Sequence, residues 1–102
     1  NNDIGVFTNK TIKDLYEALI KDGNESLEKA LKVGAKIEEV DIKDLKKSIA
    51  NTDNEDLKYL YDTLASASEN HLRAFTSNLK KFFNVDYAPE YLTKEDFEKI
   101  VK

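Results

Sequence analysis

NEDLKYLYDTLASASENHLRAFTSNLKKFF, residues 54–83, decides the fold. Leu57, Leu60, Tyr61, Leu64, Leu72, Phe75, Leu79 and Phe82 recur in steps of three and four, and Ser68 and His71 fall in the same seam. Such steps return to one side of an α-helix. Neither proline nor glycine interrupts them, so the stretch predicts one long helix ending near Phe83. Thr52 and Glu55 have capping-box spacing and are expected to open it. A stripe of this length must be buried against other helices.

Working outward, Ser26 is a good N-cap for a helix over 26–40, with Glu28 in its first turn and Leu27, Ala30, Leu31, Gly34 and Ile37 on one face. Asp41-Ile42-Lys43-Asp44 reads as a fresh cap. It predicts a break or kink near Asp41 and a further short helix to Ala50. Upstream, Ile12, Leu15, Tyr16, Leu19 and Ile20 predict a helix over 10–21, with Gly23 placed to terminate it. Downstream, Pro89 biases Ala88 away from the helical region, so 84–92 is expected to be a loop whose tyrosines fold back on the helices. Thr93 then caps a short helix through Val101, anchored by Phe97, Ile100 and Val101. With three glycines and one proline in the whole chain, turn signals for strands are missing. The expected class is all-α, an antiparallel helical bundle with short flanking helices, in a single domain over 1–102.

Composition limits the functions available. At 102 residues there is material for one hydrophobic core. A formal charge of -4 with lysines and acids interleaved disfavours nucleic acid as a partner. No apolar run approaches the roughly 20 residues of a membrane span. The absence of cysteine excludes disulfides, thiolate metal sites and thiol catalysis. No nucleophile elbow, phosphate-binding glycine loop or His-x-x-x-His pair is present, so no catalytic constellation is legible. The sequence contains no methionine, and the expectation is that a segment upstream of Asn1 belongs to the complete protein.

Two polar features inside the apolar seams are informative. Ser68 and His71 interrupt the long helix, and Glu38 continues the stripe of the preceding helix at i+4 from Gly34. Antiparallel packing would let a carboxylate and the chain's single imidazole meet. A buried lone carboxylate must be paired, protonated, solvated or metal-bound. Bundle-core metal sites draw a Glu from each of two helices and a Glu-x-x-His pair from each of two others. In this chain Ser68 stands where the acid three before His71 would be, and Glu69 is expected to face out within reach of Arg73. A complete di-metal site therefore needs ligands from elsewhere. The alternative for Glu38 and His71 is a hydrogen-bonded pair with no metal, in a structural or protein-interaction domain. Glu39, Asp41 and Asp44 read from residue type alone as surface and capping acids.

The stretches LEKALKVGAKIEEVDIKDL (27–45) and NEDLKYLYDTLASASENHLRAF (54–75), with the opening IGVFTN (4–9) and the tail YAPEYLTKEDF (87–97), resemble a family of uncharacterised ferritin-like proteins of bacteria and archaea. The resemblance covers nearly the whole chain. It implies that a full-length member carries an N-terminal half with a Glu-rich helix and a Glu-x-x-His helix, and that this chain is the C-terminal half of a ferritin-like domain. It places Glu38, with Glu39 beside it, in the acid position of the third bundle helix and His71 in the histidine position of the fourth. Iron, manganese or zinc is the implied metal, and Ser68 departs from the pattern. The implied partner is the N-terminal half. Without it, the exposed seam is expected to draw two copies together about a two-fold axis into a four-helix bundle.

Overall fold

A computed structural model of the chain describes Lys13, Asp14, Glu17 and residues 26–102. Lys13, Asp14 and Glu17 are helical and exposed. The rest of the expected 10–21 helix, with Gly23 and the 4–9 stretch, lies outside the described residues. Among the described residues the element order is α1 (Leu27–Ala50), α2 (Glu55–Phe83) and α3 (Lys94–Val101), with no strand. The all-α expectation holds.

Each helix begins at a side chain that satisfies an otherwise orphaned amide. Ser26 Oγ accepts from the Lys29 N–H at 3.0 Å, and Thr93 Oγ1 accepts from the Asp96 N–H at 3.1 Å. At α2 the cap is Asn54, whose Oδ1 accepts from the Leu57 N–H at 3.0 Å. Thr52, the expected cap, instead takes the Asn54 N–H on its own hydroxyl at 3.2 Å. α2 ends where Asn84 adopts the left-handed conformation (φ 54°, ψ 37°), a role that suits asparagine among non-glycine residues.

The break expected near Asp41 does not occur: α1 runs without interruption to Ala50. Ala35, Ile42 and Leu45 are all buried along it. A kink would turn Ile42 and Leu45 out of register with Ala35, and burial of Ile42 alone is worth about 1.5–3 kcal/mol. Tertiary packing therefore overrides the local capping preference of Asp41 and Asp44.

α1 and α2 form an antiparallel helical hairpin joined by the short turn at 51–54. Gly34 faces Phe75, and one turn further along α1 Glu38 faces His71, one turn back along α2. A Cβ on Gly34 would lie 2.6 Å from the Phe75 ring, so glycine is what lets the ring rest on the α1 backbone. α3 packs across the hairpin. Phe97 and Ile100 join Ala35, Ile42 and Leu72 in the core, with Phe75, Tyr87, Leu92 and Val101 packed around them. Arg73, expected beside Glu69, instead donates to the Ile100 carbonyl at 2.7 Å and to Asn70. Its guanidinium thereby meets the negative end of the α3 dipole.

The seam read along α2 divides in two. Ala65, Ser68, Leu72 and Leu79 are buried. Leu57, Leu60, Leu64 and Phe82 are exposed at 39, 47, 42 and 64%. The apolar stripe is wider than one neighbouring helix covers. Positions 60, 71 and 82 are spaced by eleven residues, which returns to the same side of a helix within about 20°. His71 therefore lies in the exposed row with Leu60, Leu64 and Phe82.

Candidate functional site

Two adjacent carboxylates on α1, Glu38 and Glu39, point to different surroundings because successive helical positions are about 100° apart. Glu38 continues the Gly34 row toward α2. Glu39 continues the Ala35 and Ile42 side toward α3 and the loop that precedes it.

Glu38 Oε2 lies 3.3 Å from His71 Nδ1, with the carboxylate side chain 14% exposed and the imidazole 63% exposed. Ser68 is buried at the same level of α2, and its side chain favours the ionised form of Glu38. The residue that replaces the acid of the Glu-x-x-His pattern thus influences the Glu38 carboxylate. Burial raises the Glu38 pKa above the ordinary carboxylate value, and the nearby Asp41 charge adds to the rise. His71 and Ser68 oppose it by favouring the ionised form. Asp44, on the same helix, is also raised, by burial and then by Asp41.

Glu39 is fully buried, against the expectation of a surface acid. Its Oε1 accepts from the N–H groups of Glu90, Tyr91 and Leu92 at 3.1, 2.9 and 2.9 Å. Its Oε2 accepts from the Tyr87 hydroxyl and lies 3.3 Å from the Glu90 N–H. These donors satisfy the buried charge, as a desolvated carboxylate requires. Lys36 Nζ, one turn before Val40, binds the Glu90 carboxylate at 2.9 Å and ties the same loop down from outside. The Tyr87 ring packs against Phe97 with centroids 5.8 Å apart. Burial first, and then the hydrogen bond to Glu39, push the Tyr87 hydroxyl above its ordinary pKa, so it stays a donor. The sequence-based expectation that the 84–92 tyrosines fold back on the helices is met in Tyr87.

Of the three candidate ligands, the structure brings Glu38 and His71 together, and engages Glu39 with the loop at 87–92 instead. Among the described residues no group of three or more His, Cys, Asp or Glu stands close enough to hold a metal ion. Glu38 and His71 supply two donors, whereas a catalytic zinc site takes three protein ligands and a structural one four. A metal here would need ligands from outside the described residues. The role of Tyr87 and of the amides at 90–92 was not legible in advance, although Glu39 falls four after Ala35 and three before Ile42, on the core side.

No helix among the described residues is long and apolar enough to cross a membrane. Comparison with known proteins matches residues 1–102 to a family model described as "Uncharacterized protein domain (DUF2202)". Over 101 residues the chain is 46% identical to the protein described as "Uncharacterized protein MJ0754" of Methanocaldococcus jannaschii, covering 99% of this chain and 54% of that protein. The "Crystal structure of hypothetical protein MJ0754 from Methanococcus jannaschii DSM 2661" is similar with a TM-score of 0.84 at 46% identity, covering 99% of this chain and 57% of that one. The chain thus spans about half the length of the curated relative it matches. Neither description names an activity.

Proposed function

The chain belongs to the family described as Uncharacterized protein domain (DUF2202), and on that premise we propose that it forms half of a ferritin-like four-helix bundle. In this reading the outer row of α2 packs on a second helical pair, and Glu38 and His71 become donors to iron, manganese or zinc in the seam between them. The observation that carries it is that His71 shares one row with the exposed Leu60, Leu64 and Phe82. An imidazole set among exposed leucines and a phenylalanine would become enclosed when that row is covered. Support for a second pair comes from the relative, which is nearly twice as long as the stretch it shares with this chain. Where that pair is missing, a second copy of the hairpin would take its place about a two-fold axis.

Metal analysis of a full-length family protein containing this chain tests the reading. Iron, manganese or zinc is expected in stoichiometric amount and is expected to fall when His71→Ala is introduced. For the 102-residue chain alone, sedimentation is expected to show a dimer, and a persistent monomer would count against self-pairing.

A second reading is a helical interaction domain without metal, in which Ser68, Glu38 and His71 form a polar link across the hairpin. The observation favouring it is that the Glu38 carboxylate lies 3.3 Å from His71 Nδ1 at the α1–α2 contact, with Ser68 also favouring its ionised form. Purified full-length protein free of transition metal, with His71→Ala lowering only stability, would decide for it.

A further inference from the structure

We infer that the exposed row of α2 is covered by α2 of a second copy of this chain, running antiparallel in one register centred at position 69. The inference rests on the half-bundle reading above, and names the helix that lies on the row and its direction. From Leu57 to Asn78 the row steps alternately by three and four, through Leu60, Leu64, Ala67, His71 and Ala74. Steps of this kind form a continuous heptad seam, the pattern along which two helices pair. It lies beside the covered row of Ala65, Ser68, Leu72 and Leu79. Asn78 is half-buried and the other members of the seam are exposed.

Side-chain size selects the direction. Parallel pairing in register sets each seam residue against itself. Leu64 would then hold the helices apart, leaving Ala67 and Ala74 to face their own copies across voids, and the two imidazoles would be opposed. Empty space of that kind forfeits packing. Antiparallel pairing about position 69 sets Leu64 against Ala74 of the copy, His71 against Ala67, and Leu60 against Asn78. Each wide side chain at 64 and 71 has an alanine opposite, so the helices approach evenly.

Charge selects the same direction. α2 carries Glu55 and Asp56 in its first turn and Lys80 and Lys81 in its last. An antiparallel copy brings each acidic turn onto a basic one, twice by symmetry, and opposes the helix dipoles. A parallel copy sets like charges together, which disfavours it. Lys80 is engaged by Asp86 at 3.0 Å, so Lys81 is the match for Asp56 of the copy. Lys81 Nζ lies 5.4 Å from the centroid of the exposed Phe82 ring. A cation and an apolar ring are thus presented together to Asp56 and Leu57 of the copy.

The chain has no cysteine, so introduced thiols report the register directly. Positions 64 and 74 are about 15 Å apart along one helix, too far for a disulfide within a chain or, in the antiparallel register, between like positions. Oxidation of the 102-residue chain carrying both Leu64→Cys and Ala74→Cys is expected to give a covalent dimer on a non-reducing denaturing gel. Each single variant is expected to give none. Self-linking of either single variant would overturn the antiparallel direction and leave self-pairing intact. No cross-link in a double variant that is helical by circular dichroism and dimeric by sedimentation would put the copy on another face, overturning the inference.

The second arm tests the fit without thiols. Ala67→Leu, opposite His71 of the copy, is expected to weaken the dimer by about 10-fold or more in sedimentation. Association unchanged by this substitution would overturn the proposed register. A persistent monomer of the unaltered chain would overturn the second copy as the occupant of the row. The metal reading would survive that result, because it stands on the metal content of a full-length family protein.

Discussion

Glu38 and Glu39 are neighbours in sequence, and the two sides of α1 they occupy are built on opposite terms. On the loop side, Glu39 is fully buried and accepts from the Tyr87 hydroxyl and three successive amides. On the α2 side, Glu38 has an exposed imidazole 3.3 Å away, and Ser68 favours its ionised form. Full satisfaction makes a carboxylate a structural pin, because every lone pair has a protein donor and removal would orphan them all. Partial satisfaction at a rim leaves capacity for something else. The difference teaches that a pair of adjacent acids need not be a pair of ligands.

The largest expected effect attacks the pinned side. Glu39→Leu would leave the amides at 90–92 and the Tyr87 hydroxyl facing an apolar side chain. A buried donor stripped of its partner costs about 1–3 kcal/mol, and breaking a buried charged network about 3–5 kcal/mol. The loop can expose some of these donors to water, so we expect destabilisation of about 3–5 kcal/mol, read from urea unfolding followed by circular dichroism. A loss below about 1 kcal/mol would show that the loop is held by Phe97 and Leu92 packing rather than by the carboxylate.

Next comes the α2 side, where Gly34→Ala tests the close approach of the two helices. Alanine gains up to about 1 kcal/mol in helix propensity over glycine, but its Cβ would meet the Phe75 ring at 2.6 Å. Overpacking of a fitted contact typically costs about 1–3 kcal/mol. We expect a net loss of about 1–2 kcal/mol and, because Glu38 and His71 lie one turn away, a changed His71 resonance in the same variant. A stabilised variant would mean that the ring moves aside freely.

Tyr87→Phe is smaller, since it removes one donor and keeps the ring on Phe97. A hydrogen bond to a charged group contributes about 1.5–3 kcal/mol, and the three amides remain, so a loss near the low end, about 1.5 kcal/mol, is expected in urea unfolding. In a double-mutant cycle with Glu39→Leu the two effects should be non-additive. Additive losses would place the contribution of Tyr87 in its ring.

How much of this was legible in residues alone follows the range of the forces involved. The helices show in the 3.6-residue periodicity, and Ser26 and Thr93 announce their starts, because caps act within one turn. Glu38 and His71 could be set opposite each other since both lie on stripes and a short turn makes their helices antiparallel. The Asp41 break failed because a cap signal is local and the burial of Ile42 is not. The burial of Glu39 was hidden for the same reason: its acceptors' partners lie 48–53 residues away, and three of them are backbone amides, which have no residue signature. The division of the α2 stripe into a covered and an exposed row also escaped the reading, since periodicity reports a stripe's direction and not how many helices cover it.

The smallest effect separates the two carboxylates most cleanly. Glu38 has its pKa raised from 4.5 by burial and then by Asp41. A raised carboxyl pKa means that the folded chain keeps a proton the unfolded chain has already released. Its stabilising contribution is therefore full below the unfolded value and is lost as pH rises through the folded one. Ionised Glu38 is consequently a mild liability at neutral pH, only partly offset by His71 and Ser68. Glu38→Gln cannot ionise, and at neutral pH it should lie within about 0.5 kcal/mol of the unaltered chain. Urea midpoints for the two proteins, compared between about pH 4 and about pH 7, should drift in favour of the glutamine variant as pH rises. Drift in the other direction would show that the imidazole and hydroxyl outweigh burial, making Glu38 a second pinned carboxylate and removing the contrast with Glu39.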